Sequence, residues 1–147
     1  MEVYSTGFTK KSAEQFFESI RLVGIRRLLD VRLNNTSQLS GFFKRDDLAY
    51  FLRAICDVEY LHEPLLAPTQ ELLDSYRKGK GGWDDYEERF LALMAERRIE
   101  DHMRPDFLAT PTVLLCSEAT AEHCHRRLAL EYLQRKWGNS ELRIVHL

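Results

Sequence analysis

Five short apolar segments recur along this chain, and each is separated from the next by residues at helical spacing. Glu2–Ser5, Arg27–Val31, Val58–Leu61, Thr112–Cys116 and Leu142–His146 read as strands. Thr112-Val-Leu-Leu-Cys116 is almost wholly apolar, as a strand covered on both faces must be. Between the strands, Ser12-Ala-Glu-Gln15 has the form of a capping box. Phe16, Phe17, Ile20 and Val23 follow it at helical spacing, and Gly24 stops the helix. Asp46 or Asp47 is placed to cap a helix through Leu48, Phe51, Leu52 and Ile55, and Thr69 to cap one from Gln70 to Arg77. Trp83 to Arg98 has Tyr86, Phe90, Leu93 and Met94 at helical spacing, and Trp83, Tyr86 and Phe90 are expected to pack the core. Thr120 is placed to cap a last helix through Leu128, Leu130, Leu133 and Trp137, ending at Gly138. Asn34–Gly41 reads as a polar loop, Lys78–Gly82 as a solvated loop or a mobile basic lid, and Asp101–Thr110 as irregular chain around Pro105.

The resulting order is β-α-β-α-β-α-α-β-α-β. Strands that alternate with helices are joined by right-handed crossovers and lie mostly parallel. The expected fold class is therefore α/β: a mostly parallel sheet of about five strands with helices on both faces, a Rossmann-like three-layer arrangement. The 147 residues show no repeat, linker or low-complexity segment, so one domain spanning 1–147 is expected.

A formal net charge of -2 argues against a chain whose main task is to coat a nucleic-acid backbone. No apolar run approaches the roughly 20 residues of a membrane span. Met1–Lys10 lacks the charged-then-apolar order of a secretory signal. Cys56, Cys116 and Cys124 leave at least one thiol unpaired, which excludes a full disulfide framework and points to a reducing, cytoplasmic setting. Such thiols are free, metal-bound or catalytic.

In open parallel sheets, ligands bind outside the carboxyl ends of the strands. Polar residues just past each strand are thus the candidates. Ser5, Thr6 and Gly7 follow the first strand, and Thr6-Gly7 would let backbone approach a ligand closely. Asp30 and Arg32 alternate to the same side of the second. They form either a structural ion pair or an anion-binding arginine with Asp30 orienting it or acting on substrate. His62 and Glu63 follow the third strand. Cys116 and Glu118 follow the fourth, as core filler and a solvated carboxylate, or as a thiol and a general acid or base. Cys124, His125 and Arg126 open the last helix, whose dipole, with Arg126 or Arg127, would favour Cys116 as a thiolate. Adjacent helical residues diverge, so at most two of these three share one site. Cys116, Glu118, Cys124 and His125 also read as a metal set, but their spacing matches no metal motif. No metal ligand is therefore assigned, and the cofactor stays unknown. Neither glycine-rich phosphate motif occurs.

Tyr4-Ser-Thr-Gly7, Asp30-Val-Arg32, Tyr60-Leu-His62, Cys116-Ser-Glu118, Cys124-His-Arg126 and the closing Val145-His-Leu147 together resemble the domain of unknown function DUF488 family, from near Val3 to Leu147. The resemblance implies a compact α/β domain of prokaryotic, cytoplasmic proteins, with no established activity. The chain departs from the family at Phe8 and Thr9, where many members carry His or Ser, and in Leu33-Asn-Asn-Thr36, which lacks the family's common proline.

Three readings follow. The first is an enzyme for a small anionic or nucleotide-like substrate. In it Cys116, Glu118, Asp30, His62 and Cys124 are catalytic, and Thr6, Gly7, Arg32, His125 and Arg126 bind substrate. The second is a non-catalytic module for a nucleotide, a nucleic-acid end or redox sensing through Cys116 and Cys124. The third is a structural polar network. Monomer and homodimer are both open, and no membrane partner is expected.

Overall fold

Alternate residues of each strand feed two separate apolar clusters, one on each face of a single sheet. In a computed structural model, which describes residues 1–36, 38–79, 81–118, 121–138 and 142–147, the strands are β1 (Glu2–Gly7), β2 (Arg27–Asp30), β3 (Glu59–His62), β4 (Thr112–Cys116) and β5 (Arg143–His146). All pairings are parallel, in the order β3-β2-β4-β1-β5. The helices are α1 (Ala13–Leu22), α2 (Arg45–Phe51), α3 (Gln70–Arg77), α4 (Gly82–Arg97), α5 (Ile99–His102) and α6 (His125–Trp137).

The handedness of the crossovers decides which face each helix covers. From β1 to β2 to β3 the chain steps one way across the sheet. Phe16, Phe17 and Ile20 of α1 and Leu48 of α2 therefore pack with Leu28, Val113 and Leu115 on one face. From β3 to β4 to β5 it steps the other way. Leu72 of α3, Phe90 and Met94 of α4, Ile99 of α5 and Leu128 of α6 pack with Leu29, Leu114 and Cys116 on the opposite face. β4 lies between β2 and β1, and all five of its residues are buried.

The expected α/β class holds and every pair is parallel; the element order is as expected except for one added helix, α5, before β4. Ser12 and Gln15 form the capping box at α1. Several boundaries differ from expectation. β1 runs on through Thr6 and Gly7, so these residues end the strand rather than follow it. His62 is likewise the last residue of β3. The N-cap of α2 is Lys44, and Asp46 and Asp47 lie in its first turn, where a carboxylate still favours the helix dipole. α2 runs into a π-helical turn, Leu52–Cys56, which shifts the helical phase and leaves Ile55 47% exposed instead of on the apolar face. Part of the stretch expected to be irregular is helical: α5 ends at His102 and a 3₁₀ turn covers Pro105–Ala109. Thr120, expected to cap the last helix, lies outside the described residues, and Cys124 holds the N-cap position of α6.

Phe90 is fully buried in the α3–α6 layer. Phe90→Ala should cost about 3–5 kcal/mol, whereas Ile55→Ala on the π turn should stay within about 0.5 kcal/mol. Denaturant unfolding of the two variants checks this, and equal losses would contradict the layer assignment.

Candidate functional site

Because β4 sends its connection to the face opposite that used by β1 and β2, a crevice opens at its carboxyl end, between the two diverging chains. The register brings Gly7 beside Cys116, and Asp30 beside Leu115. A cleft of about 690 Å³, counted to its open mouth, lies there. Its floor and sides include Arg32, Cys116, Glu118, Cys124 and His125, from three separate parts of the sequence. The α3–α4 hairpin supplies the facing wall through Tyr76, Arg77, Trp83 and Tyr86.

Cys116 ends β4, and Cys124 begins α6. Both are almost fully buried at the cleft floor, at 3% and 2% exposure. Their sulfurs and a ring nitrogen of His125 all lie within 4.8 Å of one another. His125 Nε2 is 2.7 Å from the Val31 carbonyl. A carbonyl only accepts, so Nε2 carries the proton in this bond, and the neutral ring has its lone pair on Nδ1.

Arg126 turns away from the cleft and runs beneath it, fully buried. Its Nε donates to Ser5 Oγ at 3.1 Å. Its Nη1 donates to the Glu118 carbonyl at 2.8 Å and lies 3.9 Å from Cys116 Sγ. Nη2 has no partner. No carboxylate pairs with this guanidinium among the described residues. Its charge acts unequally on the two thiols. Burial pushes the Cys124 thiol up, but the facing Cys116 thiol and Arg126 outweigh that and take it below the ordinary value. Cys116 is pushed well above its ordinary value, by the facing Cys124 and then by burial. The two directions diverge, and they favour ionisation at Cys124 rather than at Cys116, where the sequence pointed. The three donor atoms are compact enough for a metal ion to bridge, but the guanidinium beside Cys116 opposes a cation there.

Asp30 and Arg32 form a buried, two-pronged ion pair. Arg32 Nε and Nη2 donate to the two Asp30 oxygens at 2.9 and 2.8 Å. Tyr60 and Asn35 donate to the same carboxylate. Burial raises the Asp30 pKa, but its bonds to Arg32 and Tyr60 prevail and hold it below the ordinary aspartate value. Asp30 does not line the cleft; Arg32 does, with Nη1 lacking a partner. Phe8 lies under the Arg32 guanidinium at 5.3 Å and stacks on Phe43 at 4.5 Å.

The remaining candidates are scattered. His62 Nε2 meets the Arg32 carbonyl at 3.0 Å and is outside the cleft lining. Glu63 caps the 3₁₀ turn after β3 through the Leu65 amide. Thr6 is buried and receives a hydrogen bond from Lys11 Nζ. A Cβ on Gly7 would lie 1.5 Å from the Glu118 carbonyl oxygen, so the glycine serves a close approach of β1 to the chain leaving β4. Glu118 itself is exposed at the cleft mouth.

Sequence reasoning missed the α3–α4 wall. Tyr86 and Phe90 are buried as expected, but half-buried Trp83 lines the cleft and stacks on His123 at 4.8 Å. Arg77 reaches the cleft from the end of α3 and makes no ion pair among the described residues. The signal was present as an arginine and a tryptophan flanking the loop at Lys78–Gly82, but nothing local tells which way that hairpin folds.

A family model described as domain of unknown function DUF488 matches residues 12–133. No curated protein and no solved structure matches the chain. No helix among the described residues is long and apolar enough to cross a membrane.

Removing one partner of a buried ion pair leaves the other charge uncompensated, so Asp30→Ala should destabilise the fold by about 3–5 kcal/mol. Because the folded Asp30 pKa is depressed, its contribution is complete above the unfolded value of about 3.9 and is lost as pH falls through the folded one. The difference in unfolding free energy between wild type and variant should therefore shrink in acid, measured by denaturant titration across pH. A difference that is flat with pH would contradict the depressed value.

Proposed function

We propose, starting from the fact that the chain belongs to the family described as domain of unknown function DUF488, that it is an enzyme acting on a small anionic or nucleotide-like substrate in this cleft, with Cys124 as a thiolate nucleophile. The observation that carries the reading is Arg126. A guanidinium fully removed from water needs an anion, and among the described residues no carboxylate provides one. A thiolate on Cys124 balances that charge. The amino-terminal end of the 13-residue α6 favours the same ionised sulfur.

The other groups fall into complementary roles. His125 has a ring nitrogen within 4.8 Å of both sulfurs, and its Nδ1, outside the bond to Val31, moves a proton between thiol and substrate. Arg32 is held in place by Asp30 and, with Arg77, draws an anionic group into the cleft. Glu118 at the mouth exchanges protons with the departing group. Thr6 and Gly7 shape the support beneath the loop after β4 and do not touch substrate. A thiolate that must stay reduced fits a cytoplasmic protein, and the three free cysteines accord with that setting.

Alkylation by iodoacetamide, followed cysteine by cysteine in a mass spectrometer across pH, tests this. Thiols react as thiolates, so Cys124 should label with a midpoint below the ordinary thiol value of about 8.5. It should also lie below that of Cys56, whose thiol burial pushes up. Arg126→Met should move the Cys124 midpoint upward, and Arg126→Lys should largely restore it. The reading fails if Cys124 labels no more readily than Cys56 at any pH. It also fails if the purified protein holds stoichiometric zinc that shields both cleft cysteines.

A further inference from the structure

We propose that Cys116 is a resolving thiol and that the cleft carries out dithiol–disulfide exchange with small anionic disulfides. This rests on the reading of Cys124 as the attacking thiolate and adds the reaction class and the substrate class.

Three features point to it. The two sulfurs lie within 4.8 Å of each other at the floor of one open cleft. They are carried by the end of β4 and the start of α6, so both approach from fixed backbone rather than from mobile loops. Cys116 has no part in a simple thiol-nucleophile mechanism, yet it occupies the position from which a second sulfur can reach the first. A disulfide needs the sulfurs at about 2.05 Å, so closing the pair requires the two side chains to turn toward each other.

The step balances as follows. The Cys124 thiolate attacks one sulfur of a disulfide RSSR, the S–S bond breaks, and the first RS⁻ leaves and takes a proton from water. A mixed disulfide, Cys124–S–S–R, remains. Cys116 gives its proton to His125 Nδ1, and its sulfur attacks Cys124 Sγ. The bond to R breaks, and the second RS⁻ takes the proton back from His125. RSSR is thereby reduced by two electrons to a pair of thiols, and the cysteines are oxidised to a Cys116–Cys124 disulfide. Arg126, 3.9 Å from Cys116 Sγ, stabilises that sulfur as it loses its proton. Arg32 and Arg77 favour disulfides that carry carboxylates.

Glutathione disulfide is the probe, used on the reduced full chain in a single turnover. Wild type should pass through a mixed disulfide on Cys124 and end with a Cys116–Cys124 disulfide, found by peptide mapping. Cys116→Ser should stop at the mixed disulfide, with loss of the internal bond, and Cys124→Ser should form neither. If a serine variant does not fold, the order of species in the wild-type time course decides alone. Readily alkylated Cys124 with no internal disulfide would overturn the resolving role and leave the nucleophile reading intact. Failure of Cys124 to alkylate would sink both.

Discussion

The placement of Arg126 under the sheet edge is the constraint on which the rest of the site depends. A charged side chain with no exposed surface ties β1, through Ser5, to the chain leaving β4, through the Glu118 carbonyl. Each of those bonds is charge-assisted and therefore stronger than a neutral one. An arginine in such a place is a poor route to stability, because the cost of desolvating the charge is only recovered where the geometry is complete. Here it is incomplete, since Nη2 has no partner. An apolar side chain would avoid that cost, and the arginine instead sets a charge 3.9 Å from Cys116 Sγ.

The second buried arginine solves the opposite problem. Arg32 has its counter-ion, and Asp30 is in turn engaged by Tyr60 and Asn35, so the network closes on itself apart from Arg32 Nη1. Its effect is to fix one guanidinium at the cleft side with little freedom left to lose on binding an anion. The two arginines thus divide the work. One sets the electrostatics of the sulfur pair, and the other presents a fixed donor to whatever enters.

Much of this was legible because it depends on order and alternation. The strand–helix sequence, the all-apolar β4 and the strand-end rule together placed Cys116, Glu118, Cys124 and His125 on one edge, and the structure puts them around one cleft. The requirement that adjacent helical residues diverge was also readable. Cys124 and His125 face the cleft while Arg126 goes beneath it. What was not legible was any property set by partners distant in sequence. Asp30 and His62 sit at strand ends like the others, yet their neighbours draw them away from the cleft, to Arg32, Tyr60 and the Arg32 carbonyl. Gly7 was expected to leave room for a ligand, and the room is taken by the Glu118 carbonyl. The phase shift at Leu52–Cys56 also left no mark that periodicity could read.

The close approach at Gly7 links the fold to the sulfur pair more directly than any side chain does. The loop after β4 must pass within backbone contact of β1, because only there can its Glu118 carbonyl meet Arg126. That fixes the path of the chain out of Cys116. The stack of His123 on Trp83 fixes its path into Cys124. The described ends of the connection are thus anchored, one at Glu118 and the other at His123. Those anchors, with β4 ending at Cys116 and α6 beginning after Cys124, bring cysteines from two different elements into a facing pair.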